Sequence, residues 1–339
     1  MPPPLLSLCI PTFNRAHFLD ACLDSLRSTS SEVWENVDLV VSDNASTDHT
    51  QEVVRKYQQR YRIHYYRNES NIGAERNFFA AATRSASEYV WIFGDDDTLD
   101  EGALAKVLAH LQSGCDMVVV NYSSWSKDME RLLKPRGLQW IGDRVYTNRD
   151  DVLLAFGPHV GYISSVIVRR DILLSAAAED RERFMRCCFP HMYSIYRGLP
   201  STCVAIYLES PVFRRRECDD DWVAAGDNSQ SIWLKCFIEG TAVVFEALEN
   251  CGYSRKVVQQ AKDHTLKTFG IGNVLAGIHN VDRAALRRFM YTHYRHSEKF
   301  WKQWLPMLLL PASVSEWIYS LYRRRLRRHV SVAEQGAAL

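Results

Sequence analysis

Apolar residues in the first third of the chain fall into four short continuous blocks, residues 5–10, 37–41, 63–66 and 89–93. Each block ends in a polar cluster. After each cluster apolar residues recur every three or four positions: Phe18, Leu19, Cys22 and Leu26; Val53, Val54 and Tyr57; Phe78, Phe79 and Ala82; Leu104, Val107, Leu108 and Leu111. Short unbroken apolar runs suit strands covered on both faces, and the spacing that follows suits a helix with one apolar stripe. Four such strand-to-helix units predict an α/β fold, a mainly parallel sheet flanked by helices on both faces. Ligands of such sheets bind beyond the carboxyl ends of the strands. Asn14, Asp43, Asn71 and the run Asp95, Asp96, Asp97 all fall on that edge, so one crevice gathers residues far apart in sequence.

Residues 117–120 continue the strand series, and the polar stretch 123–150 reads as a hairpin excursion. Residues 162–168 read as another strand, followed by helices opening at Arg169-Arg170-Asp171 and at Pro190-His191-Met192. Two closing strands are predicted at 204–208 and 212–213, then a charged segment, 214–221. From Trp222 the apolar spacing is helical, which places a boundary near residue 220: an α/β domain over 1–220 and a helical region over 221–339. The apolar stretch 304–322 is broken by Pro306, Pro311 and Glu316, so no transmembrane helix is expected. It stands beside Arg323, Arg324, Arg325, Arg327 and Arg328, a pattern that suits either a helix lying in an anionic bilayer interface or a packed helix with a solvated basic end.

Composition narrows the classes. With 47% hydrophobic and 24% charged residues over 339 positions the chain is expected to fold. Forty-one Lys and Arg against forty Asp and Glu leave a formal charge of +1, so nucleic acid is not the expected partner. Nine cysteines without a C-x-x-C pair suggest neither a disulfide framework nor a zinc knuckle, and a reducing, cytoplasmic setting is expected. The first six residues, with three prolines and no basic segment, do not resemble a secretory signal.

Three adjacent carboxylates after a buried strand repel one another unless a cation compensates them. Mg²⁺ or Mn²⁺ held by one or two of them keeps positions open for diphosphate oxygens. The alternative is a solvated acidic turn capping the next helix.

The ordered set Ile10-Pro11-Thr12-Phe13-Asn14-Arg15, Val40-Val41-Ser42-Asp43-Asn44-Ala45-Ser46-Thr47-Asp48, Asn68 with Asn71-Ile72-Gly73 and Arg76-Asn77, and Gly94-Asp95-Asp96-Asp97 resembles family 2 glycosyltransferases of the GT-A fold. The likeness spans about residues 5–115, and its finer wording is similar to the abequosyltransferase-like enzymes that add deoxysugars in lipopolysaccharide O-antigen assembly. The resemblance implies a metal-dependent, inverting transfer from a nucleotide-sugar donor to a glycan or polyprenyl-diphosphate-linked acceptor, at the cytoplasmic face of a membrane. It implies that Pro11, Thr12, Asn14, Arg15, Asp43, Asn44, Asn71 and Gly73 line the donor pocket. Asp43 is then either a base-binding carboxylate or an Asx turn, and Arg76 a phosphate contact or a surface ion-pair partner. Asp97 would hold Mn²⁺ or Mg²⁺, Asp95 would face the ribose or the metal, with Asp96 in either role, and one of Arg214, Arg215 and Arg216, with Arg214 singled out, would approach the diphosphate, although three in a row also suit an exposed loop.

Family members carry their catalytic base in a Glu-Asp pair opening a later helix, where this chain reads Phe189-Pro190-His191-Met192. His191 is therefore either the candidate base, since imidazole titrates near neutrality, or a helix-opening residue that only hydrogen-bonds the acceptor or caps a turn, with Glu179 and Asp180 behind it as bases. Residues 219–222 suit a lid or a plain linker. A nucleotidyltransferase would share the acidic site, yet no Gly-rich, Lys-bearing phosphate loop lies near the N-terminus. A non-catalytic nucleotide-sugar or glycan-binding subunit is the other class left open.

Overall fold

β1 (Leu6–Thr12) and β2 (Val37–Asp43) are buried at every position, because both lie inside the sheet with helices on either side. They pair in parallel from Leu6 opposite Val37 to Thr12 opposite Asp43. The crossovers between the first strands are α1 (Ala16–Asp24), α2 (Thr50–Gln58) and α3 (Ala74–Arg84). β3 (Ile63–Arg67) extends the parallel sheet beyond β2, and β4 (Tyr89–Ile92) extends it beyond β1. Pro11 has no N–H to give, and it sits past the last β1–β4 pair, Cys9 with Ile92, so no rung is lost there.

The computed structural model describes residues 3–185, 189–217, 235–268, 282–311, 313–315, 317, 318, 320 and 321. The opening of the helical pattern, residues 222–234, the segment 219–222 and the arginines from 323 onward lie outside the described residues. The chain divides into two units, Met1–Asp219 and Asp220–Leu339.

The rest of the first unit comprises β5 (Thr98–Leu99), α4 (Ala103–Leu111), β6 (Met117–Trp125), β7 (Leu132–Lys134), β8 (Arg144–Asn148), α5 (Arg149–Phe156), β9 (Val166–Arg169), α6 (Arg170–Leu174), α7 (Ala178–Met185), α8 (Pro190–Gly198) and β10 (Thr202–Arg216). Sheet order is β3-β2-β1-β4-β9-β6-β10-β5, with β7 on β6 and β8 on β10. Only its first half is uniformly parallel: β9 runs antiparallel to β4 and β6, and β10 runs parallel to β6 but antiparallel to β5 and β8. The strand-helix repeat marks that first half. Beyond it the chain returns by turns and short edge strands.

The predicted strand at 162–168 begins as a 3₁₀ turn, Ile163–Ser165, and only Val166–Arg169 pairs. The buried Trp91 indole explains the turn, because its Nε1 donates to the Ser164 carbonyl at 2.8 Å. The two predicted closing strands are one long strand whose register against β6 shifts between Leu208 and Phe213. Trp91, Phe93, Tyr122 and Phe213 stack edge to face and face to face below the crevice, anchoring β4, β6 and β10 to one another.

In the second unit, α9 (Thr241–Ala247), α10 (Arg255–Thr268), α11 (Arg283–Tyr294) and α12 (Leu305–Leu309) enclose Ile238, Leu266, Leu286, Met290, Tyr294, Phe300, Trp304 and Leu308. Buried Lys262 pairs with Glu246, whose carboxylate also meets His293 Nδ1 at 2.9 Å. Among the described residues no helix is long and apolar enough to cross a membrane.

Candidate active site

The first two strand-end loops are stitched together. Asn14 adopts a left-handed backbone, φ 54°, which Asn tolerates because its side chain bonds locally. Its Oδ1 accepts from Thr47 N at 2.7 Å, and its own N–H donates to Ser46 Oγ at 2.9 Å. Asp48 then receives Ala16 N at 2.9 Å on one oxygen and Thr50 N at 3.1 Å on the other. One carboxylate thus satisfies the opening turns of both α1 and α2, where free N–H groups favour negative charge.

Asp43 is buried and engaged within the protein. Oδ1 accepts from Ser46 N at 2.8 Å, the Asx turn foreseen as one alternative, and Oδ2 accepts from Tyr65 Oη at 2.6 Å. Asn44 N donates to the Thr12 carbonyl, joining this loop to β1. The Asn44 side chain bonds Asn71 Oδ1 at 2.8 Å, Asn68 Nδ2 at 3.0 Å and Ile72 N at 2.9 Å. Asn68, Asn77, Ser42 and Arg84 continue the lattice inward. Gly73 caps α3 at φ 88°, and a side chain there would meet nothing nearer than Arg76 Nη1 at 3.9 Å; the backbone angle, not crowding, requires glycine.

Around the acidic triplet, Thr12 Oγ1 donates to Asp95 Oδ2 at 2.6 Å, and Arg15 Nη1 reaches Asp95 at 3.0 Å and Asp96 at 3.4 Å. Asp97 accepts from Tyr162 Oη at 2.7 Å and from the Arg216 N–H at 3.2 Å. Burial, reinforced by the Asp96 charge, pushes Asp95 up to about 6 and Asp97 up to about 7. Gly94 makes the crowding feasible: a Cβ would lie 2.8 Å from Asp96 Oδ1 and 3.3 Å from Asp97 Oδ2.

These carboxylates fit a divalent cation. They are hard oxygen donors whose charges lack full compensation, and the missing Cβ of Gly94 leaves them room. Among the described residues no group of three or more His, Cys, Asp or Glu is placed to hold a metal ion.

Three expectations need correction. His191 is 3% exposed, its Nε2 donates to the Gly161 carbonyl at 2.9 Å, and Nδ1 has no partner among the described residues. It faces an apolar cavity lined by Val90, Ile92, Val166, Val168 and Ile195, with the Phe78 and Phe189 rings set edge-on to it. Burial drives its pKa from 6.5 down to about 4, so it is a neutral core residue that no acceptor hydroxyl reaches. Arg214 turns away from the triplet to Asp100 at 2.9 Å and lies over the Trp125 ring. Antiparallel pairing of β10 with β5 is the reason: Arg214 stands opposite Thr98, so Arg216 is the residue brought beside Asp96 and Asp97. Arg76 pairs with Glu182 of α7, the surface alternative.

Thr12, Arg15, Asp95, Asp96 and Asp97 therefore do meet in one cluster, with Asn14, Asp43, Asn44, Asn71 and Gly73 in the adjoining lattice. Sequence reasoning missed Tyr162, and of the run 214–216, from which one residue is expected at the site, it singled out Arg214 where the structure brings Arg216. The Arg216 Nε donates to the Asp96 carbonyl at 3.0 Å, and the Arg215 guanidinium lies 5.4 Å from the Tyr162 ring centre, over the group that holds Asp97. The only cue for Arg216 was its place in a triple arginine, and for Tyr162 none beyond an aromatic before an apolar run.

The profile of glycosyl transferase family 2 matches residues 7–174. Abequosyltransferase RfbV of Salmonella typhimurium is 28% identical over 235 residues, 66% of this chain and 69% of that protein. Among solved structures, Staphylococcus aureus TarS in complex with UDP-GlcNAc superposes with a TM-score of 0.59 at 16% identity, covering 88% of this chain and 91% of that one. The mannosyltransferase PcManGT of Pyrobaculum calidifontis, in complex with GDP-Man and Mn²⁺, gives 0.52 at 14% identity over 95% and 88%. At such identities the two structures establish a shared fold, the α/β GT-A architecture.

Proposed function

Because this chain belongs to glycosyl transferase family 2 and is a glycosyltransferase, we propose that it moves a sugar, of the deoxyhexose class, from a nucleoside-diphosphate donor to a hydroxyl of a surface glycan, with inversion and with a divalent cation. The carrying observation is the triplet: carboxylates raised toward neutrality by burial and by one another, at a strand end, with Arg15 and Arg216 beside them. The abequosyltransferase likeness supports the sugar class, and the Mn²⁺ complex of PcManGT supports the cation.

In this reading Pro11, Thr12, Asn14, Asp43 and Asn44 form the nucleoside side of the pocket, and the glycine at 73 lets backbone approach the ligand. Asp95 and Asp97 hold the cation, which when bound neutralises the diphosphate and stabilises it as a leaving group. Tyr162 and the Arg216 N–H fix the Asp97 carboxylate, and Arg15 and Arg216 supply guanidinium charge to phosphate oxygens. With His191 in the core, the acceptor proton passes to a carboxylate of α7. Glu179 and Asp180 are both exposed in its first turn, and the Arg76–Glu182 pair moors α7 to the start of α3 on the crevice edge.

Calorimetry with UDP, CDP, GDP and dTDP, with and without Mn²⁺, tests the reading on the native chain and on Asp97→Ala. One nucleotide should bind in a Mn²⁺-dependent way and lose that dependence in the variant. Nucleotide binding indifferent to both Mn²⁺ and Asp97 would remove the cation from the proposal.

A further inference from the structure

The helical unit carries large apolar side chains in water. Along residues 300–309 the chain divides by face: Phe300, Trp304 and Leu308 are buried in the unit's core, whereas Trp301 and Leu309 are 47% and 59% exposed. The buried set recurs every four residues, while Trp301 and Leu309 stand eight apart, each one position beyond a buried member, with the partly buried Leu305 between them packed on the core. Trp317 and Leu321, four residues apart, are 62% and 43% exposed. Tyr291, also exposed, has its ring 6.1 Å from that of Trp301. The Trp301 indole N–H is already satisfied by the Arg295 carbonyl at 2.8 Å, so what remains in water is ring. Six of the thirteen large apolar side chains exposed among the described residues fall between 291 and 321, including both exposed tryptophans.

Charge follows the same segment. Residues 282–311 hold six Lys and Arg against two Asp and Glu, in a chain whose total is only +1, so the remainder is net negative. We infer that this face of the helical unit seats on an anionic lipid bilayer. Trp301, Leu309, Trp317 and Leu321 enter the boundary between headgroups and acyl chains, and the basic side chains meet lipid phosphates. Aliphatic and indole groups interleaved with guanidinium match that layering: phosphate outermost, hydrocarbon beneath. An acidic protein would satisfy the charge but leave the scattered aliphatic side chains uncovered, and nucleic acid offers leucine nothing.

The inference does not depend on the transfer chemistry, and its test needs no donor or acceptor. Full-length protein is sedimented with vesicles of phosphatidylcholine alone and of phosphatidylcholine with phosphatidylglycerol, and its tryptophan emission is followed with brominated acyl chains. Partition to the anionic vesicles should exceed that to neutral ones by about tenfold, with quenching of emission by the brominated chains. Trp317→Ser with Leu321→Ser should lower that partition by about tenfold while thermal melting stays unchanged. Trp301→Ser with Leu309→Ser gives the same comparison on the other pair if the first pair melts early. Sedimentation without quenching, partition undiminished in a folded double variant, or no sedimentation with anionic vesicles would each overturn the inference; the first two would leave a purely electrostatic contact, the last an acidic protein partner.

Discussion

Two buried titratable sites in the first unit lie within a few residues of the same sheet and have opposite character. At the triplet, charge is buried with partners: Thr12, Arg15, Tyr162 and the Arg216 backbone converge on Asp95 and Asp97, yet the carboxyls remain pushed upward. At His191, a basic group is buried among aliphatic side chains with one carbonyl partner and is pushed downward. The first arrangement stores an electrostatic need that a bound cation can meet. The second has met its need by staying neutral. Burial alone therefore does not mark a functional residue; what distinguishes the triplet is unfinished compensation by polar neighbours at a strand end.

The contrast breaks if the variants behave alike. Asp97→Ala should lower kcat by about 10³-fold or more and abolish Mn²⁺-dependent nucleotide binding, measured as nucleoside diphosphate release and by calorimetry. Arg216→Ala should cost on the order of 10²-fold in kcat while Arg214→Ala stays within about threefold, because only the former borders the triplet. Equal losses would mean that the run acts as a diffuse patch.

Stability against pH sharpens the same comparison. Asp97 is raised from 3.8 to about 7, so its favourable contribution is complete below pH 3.8 and is lost as pH rises through 7. Without metal, Asp97→Asn should melt later than the native chain at pH 8, by about 1–3 kcal/mol of stability, and the gap should close toward pH 4. His191 runs the other way: lowered from 6.5 to about 4, its contribution is complete above pH 6.5 and is lost as pH falls toward 4. His191→Leu should leave kcat within about threefold and make unfolding less sensitive to acid between those values, read by melts across pH. A large loss of kcat in that variant would return His191 to the chemistry.

The parallel half of the sheet and its strand-end clusters were legible because each strand there is a continuous apolar run and each loop a polar one. β5, β7 and β8 were not, since two to five residues, mostly exposed for β7 and β8, carry no burial pattern. His191 misled because its neighbour Pro190 reads as a helix opening beside a site. Every residue from Pro190 to Tyr196 is in fact buried, and a helix enclosed on all sides offers no face to a substrate. Choosing among Arg214, Arg215 and Arg216 required strand register, which pairing sets and residue order does not. Tyr162 required the turn that Trp91 imposes.

That register has an addressing role of its own. Between Leu208 and Phe213 β10 advances five residues while its neighbour advances two, from Val120 to Tyr122, and the surplus is taken up around Pro211 before the arginines arrive. The bulge at 209–212 thus acts as a spacer that decides which of three identical side chains is dealt to the acids, which to the outer ion pair and which to the ring of Tyr162. Deleting one residue from the spacer would shift all three assignments together without altering any of them chemically, so the length of this short bulge is as much a part of the site as the residues that line it.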